Sequence, residues 1–542
     1  MLGLPFLFLL GASLGSPMPP KSQGDVERAM AVISGDAMLD HIKRLSSDEF
    51  EGRAPGSHGD RLTVKFLEDQ IKKIGLLPAA PDGTFEQVVP LRAFQSHPSS
   101  LILKNGGKVV TLETPSDFVA RSRVERQDVS VKGSPLVFAG YGISAPDKKW
   151  DDYKGLDVKG KTLLLLDGEP QFANGQSMFA KLQTRYGTRQ AKIDDAARRG
   201  AVAVLFIHDP KTAYANYQVV QNNYRQEFFD VTSSKNQELL SMEGWIALSA
   251  AKRTCKNAGF DFNKLRASAS GRNFKPVTMG IAADFKLRNV SRTITSKNVI
   301  AMIEGSDPKL KSQYVIYSAH WDHLGRDVSL QGDQIFNGAI DNAGGSSQML
   351  EIARAFAALR VPPKRSILFI WTTGEEKGYL GSKYFLSHPF FPVRNAVADI
   401  NLDNCNVWGR TRDVNDLGFG FTTIDTVLEN TARKLGRKFT NATFDGGSYY
   451  YRSDQIEFAK VGIPSVFPGS GTDYIGKPAG YGDQMWNDYG ANAYHQVSDE
   501  VQPDWDMSGA VEDAQWMFLA GYQLAQAKGM PAWKSGSGFG RS

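Results

Sequence analysis

From residue 298 onward, runs that are apolar on both faces alternate with stretches of helical periodicity. Residues 299–303, 315–319, 367–371, 397–402 and 465–467 read as strands, and residues 346–359, 382–387, 422–434 and 509–526 as helices. Strands with no polar face, separated by helices, imply a mixed, largely parallel sheet sandwiched by helices, an α/β fold. Upstream, residues 25–77 read as helical, with Leu62, Phe66, Ile71 and Ile74 on one face and Gly75 placed to stop the helix. Short apolar stretches punctuated by Pro, Gly and Asn follow over 85–121. Residues 129–285 have another texture: a strand at 135–139, the turn Gly140-Tyr141-Gly142, four leucines at 163–166, a helix over 191–199 and a strand over 202–207. They predict a small, β-rich α/β domain inserted into the larger one. The expected division is a signal peptide at 1–20, an N-terminal part of the main domain at 25–128, the insert at 129–285, the main domain at 286–530, and a mobile Gly/Ser-rich tail at 531–542.

Composition narrows the function. Of 542 residues, 41% are hydrophobic and 22% charged, an ordinary globular balance that argues against disorder and against a multi-span membrane protein. The 63 Lys and Arg against 58 Asp and Glu leave a net charge of only +5, without a dense basic block, so nucleic acid is not an expected partner. Two cysteines, Cys255 and Cys405, are too few for a thiolate metal site or a disulfide framework, and any bound metal must take nitrogen and oxygen ligands. The apolar residues 2–10 followed by small residues at 11–15 resemble a secretory leader without a basic start, which makes export, to periplasm or medium, the expectation. No other stretch has the apolar length of a spanning helix, and no stable membrane insertion is expected once the leader is removed.

Ligands of open parallel sheets gather beyond the carboxyl ends of the strands. The strand at 315–319 runs into His320-Trp321-Asp322-His323, that at 367–371 into Glu375-Glu376, and that at 397–402 into Asp403. Asp341 opens Asp-Asn-Ala-Gly-Gly ahead of a helix, and Tyr494-His495 lies in a late polar loop. Carboxylates with neutral imidazoles and no thiolate suit hydrolytic Zn²⁺, with Mn²⁺ or Co²⁺ allowed by geometry. In extended chain His320 and Asp322 share a side, so His320 can ligate while Asp322 accepts its other ring N–H. Glu375 and Glu376 point apart, so one can ligate while the other faces a water as general base. Taken singly, Asp341 reads as well as a helix cap, Glu375-Glu376 as a solvated pair, and His323 as a supporting histidine. Five such elements in one order point instead to a metal site.

These motifs, His-x-Asp, Asp-Asn-Ala-Gly-Gly, Glu-Glu, a lone Asp and Tyr-His, resemble those of the co-catalytic zinc aminopeptidase superfamily, which includes glutamate carboxypeptidase and the transferrin receptor. The resemblance implies two Zn²⁺ per chain, one on His320 and Asp403, the other on Glu376 and His495, with Asp341 bridging. It makes Glu375 the general base, gives Tyr494 the substrate carbonyl or oxyanion, and implies a cis peptide between Asp341 and Asn342. Residues Asp40 to Leu77, with Ser47 to Arg53 among them, resemble the leading segment of secreted bacterial members, the insert resembles a protease-associated domain, and Ser453-Asp454 resembles a segment near the substrate pocket. The expected function is therefore an exported metallo-exopeptidase acting on peptides, most simply an aminopeptidase. A carboxypeptidase or dipeptidase would need a cationic clamp, for which Arg410, Arg412 and Arg452 are available. A catalytically silent receptor homologue is the remaining alternative.

Overall fold

The computed structural model describes residues 20–172, 177–179, 184–212, 216–231, 239–441 and 449–540; the leader expected at 1–20 lies, up to residue 19, outside them. The chain forms two compact units, one taking the chain up to Val89 and again from Thr295, the other Pro90–Ile294.

The first unit is built on a sheet ordered Ser465–Val466, Ala396–Asn401, Tyr314–His320, Ser366–Thr372, residues 299–303, and Leu77–Pro78. The first four strands are mutually parallel, and the last two each run antiparallel to the neighbour before. Alternation sorts their side chains between two cores. Val315, Tyr317, Ala319, Ile367, Phe369 and Trp371 pack with Met349 and Phe356 of helix Gly345–Ala357 and Phe518 of helix Ser508–Gln526. Ile300, Ile316, Leu368 and Ile370 pack with Phe385 of helix Leu380–Ser387 and Phe458 of helix Gln455–Lys460. Both faces are dry, which is why these strands read as unbroken apolar runs. Each large side chain fully buried there stabilises the unit by about 1.5–3 kcal/mol.

The single helical stretch read over 25–77 is four pieces: Pro20–Met30, Gly35–Leu45, the 3-10 turn Asp48–Arg53 and His58–Ile74. Ser34 starts the second by accepting the Ala37 N–H at 3.3 Å, and left-handed backbone at Glu51, Gly52 and Arg53 breaks the third from the fourth. Gly75 ends the last helix as expected, at φ 87° with its N–H on the Ile71 and Lys72 carbonyls. Of the tail expected to be mobile, residues 531–540 are docked. Lys534 pairs with Asp425 at 2.6 Å, the Trp533 indole N–H reaches the Gly462 carbonyl at 3.0 Å, and Phe539 packs on Trp533. Two aromatic side chains and a lysine outweigh the flexibility of the glycines and serines around them.

In the second unit, strands Asp128–Phe138, Thr162–Leu166, Ala203–His208 and Met242–Ala247 lie parallel, and Phe118–Arg121 adds antiparallel to the last. Helices Arg189–Arg198 and Leu248–Asn257 contribute to cores on opposite faces of this sheet. It is the small β-rich α/β insert of the sequence reading. It starts at Pro90 rather than 129 and ends at Ile294 rather than 285, because ladder partners such as Trp245 for Val119 decide where a strand sits. Cys255 and Cys405 are free and buried. Among the described residues no helix is long and apolar enough to cross a membrane.

Candidate metal centre

Parallel register brings the chemistry to one edge. His320 pairs with Thr372 and Ser318 with Asn401, so the three strands end level. Pairing continues one step further, with the Trp321 N–H on the Thr372 carbonyl at 3.0 Å and the Leu402 N–H on that of Ser318 at 2.8 Å. His320, Glu375, Glu376 and Asp403 are thereby delivered together. Asp341 arrives from the tight turn Ala339–Gly344, whose 341–342 peptide is cis, as the resemblance implied. Asn342 ties this turn to the sheet: its Nδ2 donates to the Leu402 carbonyl at 2.9 Å and its Oδ1 accepts the Gly345 N–H at 2.9 Å. Gly345 is required there, since a Cβ would stand 2.4 Å from the Leu402 carbonyl oxygen. His495 has φ 57°, an unusual left-handed backbone for a non-glycine residue, and its ring stacks on Tyr494 with centroids 3.9 Å apart.

Asp341 divides its two oxygens. Its Oδ1 lies 3.3 Å from His320 Nε2, which is 2.9 Å from Asp403 Oδ1. Its Oδ2 lies 3.1 Å from His495 Nε2, which is 3.2 Å from Glu376 Oε2. His323 joins the second group, with Nδ1 2.8 Å from Glu376 Oε1 and 4.0 Å from Asp341 Oδ2. The trios His320, Asp341, Asp403 and His323, Asp341, Glu376 each place one ligand atom per residue within 4.8 Å of the others. Nitrogen and carboxylate donors grouped in this way fit zinc.

The charges show what the cluster favours. Burial opposes protonation of His320 and His495, yet Asp403 and Glu375 around the first, and Glu376 and Asp341 around the second, hold both imidazoles well above their ordinary range. Burial opposes ionisation of Glu376, but His495 and His323 keep it well below the carboxylate range. Burial likewise works against Asp341, and hydrogen bonds to His320 and His495 keep it low. Glu375 is 7% exposed, and burial together with Asp403 and Glu376 pushes its carboxyl well above the usual value despite nearby His320. A cation is the natural counterweight to so many carboxylates in a largely buried site. Burial, then Asp341, Glu376 and Glu375, raise the Tyr494 phenol, so it stays a proton donor.

The expected pairing of Asp322 with the His320 ring is not what holds that imidazole. His320 Nδ1 meets the Asp322 backbone carbonyl at 3.0 Å, while the carboxylate is 3.8 Å away and accepts the Glu375 N–H at 3.0 Å. The chain leaves extended geometry after His320, so the side chain turns to the neighbouring loop. Burial pushes the Asp322 carboxyl up to about 7. Asp454 is wholly buried, taking hydrogen bonds from Thr372 and, at 2.5 Å, from Ser382; burial pushes it up to about 6, and its charge acts on Glu375. Arg410 and Arg412 are engaged by Glu512 at 2.6 Å and Asp473 at 2.8 Å. Sequence reading assigns no role to Asp499 beyond its place in the acidic cluster Ser498-Asp499-Glu500 after His495; its carboxylate accepts the Ile340 and Asp341 N–H groups at 3.0 and 3.1 Å.

Residues 298–519 match the model of Peptidase family M28. Aminopeptidase YwaD of Bacillus subtilis (strain 168) is 30% identical over 178 residues, 32% of this chain and 35% of that protein. Leupeptin-inactivating enzyme 1 of Streptomyces exfoliatus is 27% identical over 236 residues, 42% of this chain and 49% of that one. The aligned stretches thus span less than half the length of these curated relatives. The solved aminopeptidase from Aneurinibacillus sp. strain AM-1 superposes with a TM-score of 0.50 at 20% identity, over 93% of this chain and 96% of that one. That likeness is one of fold, and the fold is the α/β one read from the sequence. The resemblance to the zinc aminopeptidase superfamily holds.

Proposed function

We propose, for a chain whose residues 298–519 carry a peptidase family M28 domain, that the protein is a zinc-dependent metallo-exopeptidase that removes N-terminal residues from peptides. The observation that carries this reading is the division of Asp341, one oxygen toward His320 and Asp403, the other toward Glu376 and His495. These five residues would hold two zinc ions, with His323 within reach of the second. Zinc there would supply Lewis acidity toward the scissile carbonyl and acidify water. Glu375, facing the cluster without a place among the five, takes the proton of the attacking water and passes it to the leaving amine. The Tyr494 hydroxyl donates to the carbonyl oxygen as negative charge develops. The carboxylate-rich cluster favours a free α-ammonium, and the engagement of Arg410 and Arg412 with their own partners leaves less for a carboxylate clamp.

Export is part of the proposal, supported by the apolar leader and its small-residue end; N-terminal sequencing of protein recovered from the periplasm or medium tests it. The insert, Pro90–Ile294, we read as a protease-associated domain, on its Gly140-Tyr141-Gly142 turn and its segment from Lys192 to Asp209.

The decisive assay pairs leucyl-p-nitroanilide with its N-acetylated counterpart on protein whose zinc has been counted. Cleavage of the free-amine substrate alone, with about two zinc per chain, establishes an aminopeptidase. Cleavage of neither, with zinc bound, moves the activity to carboxypeptidase or dipeptidase substrates. Absence of bound zinc identifies a silent homologue.

A further inference from the structure

Arg53 has no exposed surface. Its guanidinium makes four hydrogen bonds, all to backbone carbonyls: Nε to Trp321 at 2.8 Å, Nη1 to Leu45 at 2.7 Å and Asn337 at 2.6 Å, and Nη2 to Gly338 at 2.9 Å. Trp321 lies between His320 and Asp322, and residues 337–338 lead directly into the Asp341 turn. No carboxylate among the described residues pairs with this arginine at ion-pair distance. A buried cation without a counterion is costly, and such a residue is retained where its directional bonds or its charge are needed. The segment that carries it is shaped for the task. Glu51, Gly52 and Arg53 all have left-handed backbone, and a Cβ on Gly52 would stand 2.5 Å from the carbonyl oxygens of Gly325 and Phe336. Asn337 secures the other side by donating to the Ser46 carbonyl at 2.7 Å and to Asp48 at 2.9 Å.

Asp499 complements it. The carboxylate takes the Ile340 and Asp341 N–H groups, its own backbone carbonyl takes the Ala339 N–H at 3.0 Å, and the Tyr489 hydroxyl donates to it at 3.2 Å. Along one stretch of backbone, then, a buried cation collects the carbonyls of residues 337 and 338 and a buried anion collects the amides of 340 and 341.

We propose that Arg53 and Asp499 are positioning residues of the metal centre, an oppositely charged clamp that presets the Asp341 turn so that its carboxylate presents one oxygen to each metal position. The clamp rests on the reading of the site as a two-metal centre and deepens it. It assigns the leading segment Asp48–Arg53, far from every ligand in sequence, to the organisation of that centre. The charge of Arg53 also acts on Asp499, Asp341, Asp322 and Glu376, offsetting part of the repulsion among them.

Arg365 supplies the control. It is 1% exposed and likewise gathers backbone carbonyls, those of Leu524, Ala527 and Gly529, away from the centre. The full chain and its Arg53→Met, Asp499→Asn and Arg365→Met variants are compared for melting temperature, for zinc affinity by competition with a chelator, and, metal-free, for amide exchange over residues 337–345. Groups that orient metal ligands typically contribute 10–100-fold to affinity. Expected are weaker zinc binding by that factor and faster exchange in Arg53→Met and Asp499→Asn, with neither change in Arg365→Met even if it melts as low. Wild-type affinity and exchange in the first two variants overturn the clamp, as does a parallel loss in all three. If Arg53→Met fails to fold, Asp499→Asn decides alone. If the unaltered protein binds no zinc, the metal reading fails, and amide exchange still decides whether the clamp holds the turn.

Discussion

Replacing Glu375 by Gln keeps the shape of the side chain and the backbone N–H bond to Asp322 at 3.0 Å, and removes one carboxylate from a largely buried cluster. A positioned general base contributes about 10²–10⁴-fold to turnover. Glu375 is only 7% exposed, so bulk water cannot readily stand in for its carboxylate, and the upper half of that range applies. The expected loss in kcat is about 10³–10⁴-fold, or ~4–5.5 kcal/mol, with KM for leucyl-p-nitroanilide little changed. Zinc content, measured by elemental analysis, should stay at the wild-type value because the five proposed ligands are untouched. Stability of the metal-free protein should move the other way. A carboxyl whose folded pKa is raised contributes stability below its unfolded value of ~4.3 that is lost as pH rises through the folded value. At pH 8 the metal-free wild type therefore carries a repulsion that Gln lacks, and the variant should melt higher in chelator. Turnover within tenfold of wild type at full zinc occupancy would refute the role of general base. Loss of zinc would make Glu375 a ligand instead.

Three further outcomes are expected. Asp341→Ala should abolish binding of both zinc ions, whereas Asp403→Ala should spare the one nearer Glu376; zinc per chain distinguishes them, and equal losses would contradict the division of the Asp341 oxygens. In chelator, the raised His320 and His495 stabilise below their unfolded value of ~6.5 and cease to as pH rises through their folded values, while the depressed Glu376 and Asp341 stabilise above ~4–4.5. Asp322, raised to about 7 by burial, adds stability that is lost as pH rises through that value. The melting temperature of metal-free protein should thus fall from pH 5 to pH 8 more steeply than that of zinc-loaded protein, and parallel curves would show that the cluster is not the cause. Gly345→Ala places a Cβ 2.4 Å from the Leu402 carbonyl oxygen and 2.3 Å from Asn342 Oδ1. It should cost about 1–3 kcal/mol in unfolding by denaturant and weaken zinc binding; unchanged values for both would show that the helix can shift away at no cost.

Much of the catalytic unit was legible because the strands are buried on both faces. A segment such as 367–371 must be apolar throughout to pack between Phe356 on one side and Phe385 on the other, and that requirement is local and visible. Of the proposed ligands, His320, Glu376 and Asp403, together with Glu375, were legible for a related reason. Parallel strands in level register end at one edge, so polar residues just after each apolar run are neighbours without any knowledge of packing. Asp341 and His495 follow no strand of that set and were named from the order of the family's motifs. Boundaries set by partners were less visible. The start of the second unit depends on which ladder Phe118–Arg121 joins, and the docking of the tail depends on where Gly462 and Asp425 happen to lie.

The sequence by itself determined the α/β alternation, the order of the strands that carry chemistry, and a nitrogen-and-oxygen ligand set, because each follows from periodicity, residue type or position at a strand end. Only the tertiary structure decided that the two oxygens of Asp341 face different partners, that Asp322 supports the Glu375 loop rather than the His320 ring, that His323 stands beside Glu376, and that Arg53 and Asp499 grip the Asp341 turn. These depend on side-chain direction and on backbone groups far apart in the chain, and hydrogen bonds to a main-chain carbonyl or amide leave no mark in the identity of the residue that supplies it.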